Sequence, residues 1–315
     1  MPVDAALAWS LLLLVLGVVA LWAGAEALVR GAAGVAYGLG LRAATVGVTV
    51  VAFATTAPEL FVATIGAVTV STDVGLGAIV GSNVANIGLV LGVAALIRPL
   101  EVSETVLRRH VPFMVLAALL PVVLAIDGVL GRIAGVIFLL VLAGFSVYVA
   151  HYVSADPTPV READDQPGIE ARTVGFVIVG LVALLVGSRW LVDGGVGVMG
   201  RLGFPDLVIG LTVLGIGTSL PELAASGIGA LREEASFAIG NVVGSNIYNL
   251  LAVLGILAVV VPISVDPAVL RFELPALVVF TVVLTAMLLH ERRLSRLDGA
   301  VLLGGYVVFL GVLIW

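Results

Sequence analysis

Residues 24–92 and 187–255 of this chain are copies of each other at a constant offset of 163, and both copies lie inside long apolar runs. Leu211-Thr212-Val213-Leu214-Gly215-Ile216-Gly217-Thr218-Ser219-Leu220-Pro221-Glu222-Leu223 falls over Val48-Thr49-Val50-Val51-Ala52-Phe53-Ala54-Thr55-Thr56-Ala57-Pro58-Glu59-Leu60. At the same offset Gly77-Ala78-Ile79-Val80-Gly81-Ser82-Asn83-Val84-Ala85-Asn86 becomes Gly240-Asn241-Val242-Val243-Gly244-Ser245-Asn246-Ile247-Tyr248-Asn249. A carboxylate inside a bilayer is strongly disfavoured, so Glu59 and Glu222 at equivalent places of a duplicated membrane segment point to an ion site.

Ten apolar stretches are each compatible with a span of about 20 residues: 7–30, 42–70, 75–97, 109–126, 129–152, 173–200, 206–230, 236–261, 268–289 and 297–315. The first follows Asp4 rather than a basic segment and is too long for a signal-peptide core, so it reads as a retained helix. With 61% hydrophobic and 11% charged residues, against about 25% charged in soluble domains, nothing is left over for a soluble domain. The absence of cysteine excludes disulfides, thiolate metal ligands and thiol nucleophiles.

The basic residues are all arginine. If alternate loops share a side, Arg30, Arg42, Arg98, Arg108, Arg109, Arg161, Arg172, Arg232, Arg292, Arg293 and Arg296 fall on one side, and Arg132, Arg201 and Arg271 on the other. The positive-inside rule then predicts external termini and a cytoplasmic centre of the chain. That centre, Ser154 to Glu170, is rich in proline and acid and has no apolar periodicity or EF-hand pattern, so it reads as a solvated connector. The expected organisation is a first membrane repeat over 1–153 (motif 48–92), an acidic linker over 154–171 and a second repeat over 172–315 (motif 211–255). Five spans on each side is an odd number, so the second repeat enters the membrane from the opposite face. The predicted fold is an all-α polytopic membrane protein whose ten helices form two inverted five-helix repeats.

Helical spacing puts Glu59 on one stripe with Thr56, Thr55 and Ala52, and Glu222 with Ser219, Thr218 and Gly215. Pro58 and Pro221 cannot donate to the carbonyls of Ala54 and Gly217, which predicts kinked helices with freed carbonyls. In the following helices, Ser82 with Asn86 and Ser245 with Asn249 stand at i and i+4. The donor set is wholly oxygen, which suits a hard cation such as calcium or sodium. His110, His151 and His290 lie at predicted span ends or loops, so zinc-type sites lose their ligands. Single hydroxyls in a span usually pack or bond internally, and it is their repetition that marks these. The pairs Gly77/Gly81 and Gly240/Gly244 read as close-packing positions. An ion pair is the alternative role for the two glutamates, but Arg189, the one arginine inside a span, cannot serve both.

At these residues the chain closely resembles the sodium/calcium exchanger family of the cation/calcium antiporter superfamily. Its repeats have the form Gly-Thr-Ser-x-Pro-Glu followed by Gly-Ser-Asn-x-x-Asn or Asp. The second repeat matches as Gly217-Thr218-Ser219-Leu220-Pro221-Glu222 and Gly244-Ser245-Asn246-Ile247-Tyr248-Asn249; the first departs at Ala54 and Thr56. The resemblance implies that Glu59 and Glu222 are carboxylates shared by calcium and sodium, and that Thr55 and Thr218 add backbone oxygens. It gives side-chain oxygens to Thr56, Ser219, Ser82, Ser245, Asn86 and Asn249, and sodium-facing carbonyls to Ala52 and Gly215. Potassium-dependent members carry an acid where this chain has Asn249, and the proton-coupled branch carries a Gly-Asn-Ala-x-Glu-like motif that is missing here.

The implied function is a sodium/calcium antiporter of the cell membrane, electrogenic and potassium-independent, working by alternating access. Calcium and sodium bind as substrates rather than as cofactors, and the lipid bilayer is the other partner. A proton/calcium antiporter is the first rival on the same scaffold. A cation channel is disfavoured because a pore needs a ring of chains or a continuous file of sites. An intramembrane protease would need paired aspartates, a metal triad or a serine-histidine pair within the spans.

Overall fold

The computed structural model of the protein describes residues 3–38, 43–56, 59–60, 63–64, 67, 72–155, 170–203, 217 and 219–314. In the first half the helices are α1 (Val3–Gly38), α2 (Ala43–Val46), α3 (Ala52–Thr55), α4 (Thr72–Ala85), α5 (Gly92–Ile97), α6 (Val111–Leu124) and α7 (Arg132–Ala155). The second half contains α8 (Ala171–Arg201), α9 (Leu220–Leu231), α10 (Ala235–Tyr248), α11 (Leu254–Val260), α12 (Leu274–Glu291) and α13 (Arg296–Ile314). Eight of the ten apolar stretches form helices of membrane-spanning length among the described residues, from Ala6–Val35 to Arg296–Leu313. The described residues of the other two, which carry the glutamates, form only shorter helices. Residues 42–70 contribute α2 and α3, joined by a π turn at Gly47–Val51, and 206–230 contributes α9. Most of the linker, 156–169, lies outside the described residues.

Two spans form the centre of the molecule. Gly75–Ile97 is 78% buried and Ala235–Val260 is 83% buried, whereas the spans in α1 and α8 are only 17% and 22% buried. Each central span has a π turn at the matched place, Asn86–Leu91 between α4 and α5 and Asn249–Val253 between α10 and α11. A second matched pair, Val106–His110 and Val269–Glu273, leads into α6 and α12. Such turns are rare and re-aim the side chains that follow them. Ser82 meets Asn249 and Asn86 meets Asn246, so the two central spans cross while running in opposite directions, as inverted repeats require.

Inversion is also visible in two short antiparallel strand pairs. β1 (Leu100–Glu101) pairs with β4 (Arg293–Leu294), and β2 (Val129–Leu130) pairs with β3 (Ile263–Ser264). The repeat relation exchanges the two pairs, so each half lends one strand to each sheet. Next to them Val102 N–H donates to Arg292 O at 2.9 Å and Val265 N–H donates to Gly128 O at 2.8 Å, again one bond in each direction. Gly128 and Arg292 occupy the matched position, and both have positive φ, 82° and 54°.

Helices α1 and α8, of 36 and 31 residues, lie against each other along their length in opposite directions. Their contact is a ladder of glycines spaced by seven on each helix: Gly17 faces Gly187 and Gly24 faces Gly180, while Gly31 packs on Val177 and Gly194 on Ser10 and Leu14. A Cβ at Gly31 would lie 2.7 Å from Val177 N, and one at Gly187 would lie 2.8 Å from Leu21 N. In a bilayer, where lipid tails are as apolar as leucine, helices associate through such close backbone packing rather than through exclusion of water.

Candidate functional site

Both glutamate-bearing segments break their helix at the same place in the repeat. Thr56 ends α3 with ψ −10°, and its counterpart Ser219 has ψ 3° immediately before α9. Pro221 then falls in the first turn of α9, where a missing N–H leaves no hydrogen bond unmade. The expected kink is therefore a helix start in the second repeat. Its expected free carbonyl is also engaged, since Gly217 O accepts the Ser188 hydroxyl at 2.7 Å. Pro58, Thr218 and Gly215 lie outside the described residues.

Glu59 and Glu222 are buried, 3% and 0% exposed, and close enough for their charges to repel. Glu59 Oε1 accepts from Ser82 Oγ at 3.4 Å. Thr55 of the first repeat and Ser245 of the second stand beside the Glu222 carboxylate, yet neither closes a hydrogen bond on it. Close helix packing holds this arrangement. A Cβ on Gly244 would sit 2.5 Å from Val48 O and 2.6 Å from Ala52 Cβ, so α10 presses directly on the α2–α3 segment. This is the close-packing role expected of Gly244, and it sets Ser245 beside the site.

The threonines are oriented by their own backbone. Thr55 Oγ1 donates to Val51 O at 3.1 Å and Ala52 O at 3.3 Å, and Thr56 Oγ1 donates to Ala52 O at 2.7 Å. Their protons point back into the helix and leave oxygen lone pairs for another partner. The same bonds converge on the carbonyl of Ala52. It also accepts Thr56 N–H at 3.0 Å, so any ion that it holds would share this oxygen with donors of its own turn.

The carboxamides are arranged in the same sense. Asn249 Nδ2 donates to Ser82 Oγ at 3.4 Å and Asn86 Nδ2 donates to Asn246 Oδ1 at 3.2 Å, which turns the oxygens of Asn86 and Asn249 away from any donor. Asn83 and Asn246, in the middle of the matched motif, were not among the expected ligands because the i, i+4 stripe passes them by. They join the halves: Asn246 Nδ2 approaches Asn83 O at 3.5 Å, residue against its own repeat counterpart. Their position inside Gly-Ser-Asn in both copies was the available signal. Ser188 had no such signal, because its counterpart is Ala25.

The sum of these contacts is one-sided. Glu59 Oε2, both oxygens of Glu222, Ser219 Oγ, Ser245 Oγ and the Oδ1 atoms of Asn83, Asn86 and Asn249 are buried without a hydrogen-bond partner. The other two such atoms among the described residues are Asn241 Oδ1 and His110 Nδ1, so nine of the ten are oxygens. Buried polar atoms are nearly always paired, and a cluster of unpaired oxygens that includes two carboxylates calls for a cation. No arginine supplies it among the described residues: Arg189 pairs with Asp193 at 2.9 Å and is 75% exposed. Nor do the described residues contain a cluster of three histidine or acidic side chains that could hold a metal. The donor chemistry fits a hard cation held by two carboxylates and neutral oxygens.

A family profile described as sodium/calcium exchanger protein matches residues 9–150 and 172–315, that is, both halves. The chain is 33% identical to the inner membrane protein YrbG of Escherichia coli strain K12, over 96% of each chain. It is 30% identical to the sodium/calcium exchanger MaX1 of Methanosarcina acetivorans, over 97% of this chain and 99% of that one. A solved structure of the sodium-calcium exchanger NCX_Mj superposes with a TM-score of 0.84 at 27% identity, covering 97% of this chain and 99% of the other. An integral multi-pass membrane protein with this inverted fold, matched over nearly its whole length, the chain belongs to the sodium/calcium exchanger family of secondary transporters.

Proposed function

We propose that the protein is an antiporter that exchanges sodium for calcium, using Glu59 and Glu222 as the charges that both ions share. The unpartnered buried oxygens of these two carboxylates and of Ser219, Ser245, Asn83, Asn86 and Asn249, with no cationic side chain beside them among the described residues, carry the assignment. Thr55, Thr56, Ser219, Ser82, Ser245, Asn86 and Asn249 add neutral oxygens, and Thr218, Ala52 and Gly215 join them by family resemblance. One calcium balances the two carboxylates, and the sodium set competes for the same oxygens, so the ions load alternately. The empty, doubly negative site is held back by the desolvation it would suffer in crossing. Movement of α1 and α8 as one unit supplies alternating access, since the glycine ladder joins them to each other while much of their remaining surface faces lipid.

The deciding experiment is calcium uptake into vesicles loaded in turn with sodium, potassium or a proton gradient. Sodium-driven uptake is expected. Uptake that follows only the proton gradient would transfer the assignment to the proton/calcium rival, and uptake without counter-transport would make the protein a channel. The arginine distribution further supports external termini and a cytoplasmic linker in the cell membrane. With no native cysteine, the variants Ala163→Cys and Ala5→Cys test this directly. The first is expected to label only from the cytoplasmic face and the second only from outside, and the reverse pattern would invert the topology.

A further inference from the structure

A groove of about 520 Å³ runs between α12 and α13, lined by Phe272, Val279, Phe280, Val301, Val308 and their neighbours, with Arg271 at one end. Val279, Val301 and Val308 are 58%, 51% and 66% exposed, and both helices are membrane spans, so the groove opens to the bilayer. Its floor is aromatic and rigid. Phe272 stacks on Phe309 at 5.6 Å, and Phe280 meets Phe309 edge-on at 6.3 Å. Phe280 also reaches the back of the π turn that begins at Asn86, where a Cβ on Gly88 would lie 3.0 Å from its ring.

Arg271 is the one charged residue of the lining, and it makes no ion pair with any described residue. The acids near it are turned elsewhere. Glu273 points toward Gly77, and Asp266 accepts the Ala268 N–H at 2.7 Å. From Arg271 to Val283 the groove extends about 18 Å at the helical rise, close to one leaflet of a hydrocarbon core roughly 30 Å thick. A cation at headgroup level above an apolar slot one leaflet deep matches a phospholipid, phosphate on the guanidinium and acyl chain along the aromatic floor.

We propose that this groove is a binding site for an anionic phospholipid, with Arg271 holding its phosphate. A second copy of the chain is a poorer occupant. A twofold axis along the membrane normal would bring two Arg271 side chains to the same depth on facing surfaces, where they repel.

The test uses the full-length protein with a bimane fluorophore on Val308→Cys at the groove rim, or on Val147→Cys, whose native valine is 69% exposed on α7. Each is reconstituted in phosphatidylcholine vesicles with a small fraction of brominated phosphatidylglycerol, and separately with brominated phosphatidylcholine. One favourable arginine contact enriches an anionic lipid about fivefold. Brominated phosphatidylglycerol is therefore expected to quench the Val308 label about fivefold more than the Val147 label, and brominated phosphatidylcholine to quench both alike. Arg271→Gln should abolish the excess. Equal quenching of both labels by phosphatidylglycerol overturns the proposal even if Arg271→Gln does not fold. An excess that survives Arg271→Gln also overturns it. A Val308 label shielded from both lipids would mean that protein covers the groove, and would overturn it too.

Discussion

Glu59 and Glu222 differ from ordinary buried acids in having no cationic neighbour among the described residues, and in the proposed exchange a transported ion supplies their charge balance. Glu59→Gln and Glu222→Gln keep the shape of the site and remove half its charge. Deleting one partner of a buried charge pair costs about 3–5 kcal/mol, so calcium affinity should fall roughly 100-fold or more. The protein should still elute as a monodisperse species in detergent, and near-native uptake by either variant would remove that glutamate from the site. A different residue-scale test comes from the matched positive-φ positions. A side chain in the left-handed region costs about 1–2 kcal/mol. Gly128→Ala should lower thermal stability in detergent by about that amount, while Arg292→Gly should not lower it, as measured by the melting temperature of each variant.

At the scale of elements, one ion-pair cluster joins the α1–α8 pair to the helix that carries Glu222. Glu26 of α1 accepts Arg30 at 2.6 Å and is gripped by both Arg232 Nε, at 2.8 Å, and Arg232 Nη2, at the end of α9. The repeat counterparts of Glu26 and Arg30 are Arg189 and Asp193, the same pair with its signs reversed. Among the described residues only the Glu26 side makes a tie to another element, so the molecule is held asymmetrically. Arg232 is half exposed, which limits the tie to about 1 kcal/mol. Arg232→Glu should therefore change the apparent calcium affinity on one face of the membrane by about fivefold relative to the other. The exchange Glu26→Arg with Arg232→Glu should restore it, and identical shifts on both faces in sided transport assays would show that the cluster does not bias the movement of α1 and α8.

For the whole molecule, charge decides the coupling. The matched motifs end in neutral Asn86 and Asn249, so two carboxylates face the ions, enough to balance one calcium with no third acid to recruit potassium. Calcium uptake driven by sodium is expected to persist with potassium removed. If more than two sodium ions load the site it becomes positive, and exchange then moves net charge; with the potential clamped, the rate should follow its sign. Asn249→Asp adds a third carboxylate and should introduce potassium sensitivity or change cation preference. Strict potassium dependence of the unmodified protein would contradict this account of Asn249.

Duplication and apolar length are local or periodic properties, so the sequence alone determined the inverted repeats, the eight apolar stretches that form helices of spanning length among the described residues, and the residue types that carry oxygen and charge. Burial of Glu59 and Glu222 against each other, and of Ser82 against Asn249 from opposite halves, required two distant segments to cross at the centre. The helix breaks at Thr56 and Ser219 were legible only as kinks, because a proline forbids a hydrogen bond without saying whether the helix bends or stops. Which carbonyls already hold donors was decided in three dimensions. Ala52 O accepts hydroxyls within its own turn, and Gly217 O accepts Ser188 from another helix. A stripe drawn on a single helix cannot show donors arriving from outside it, and for that reason Asn83 and Asn246, which join the two halves, emerged only when the helices were packed together.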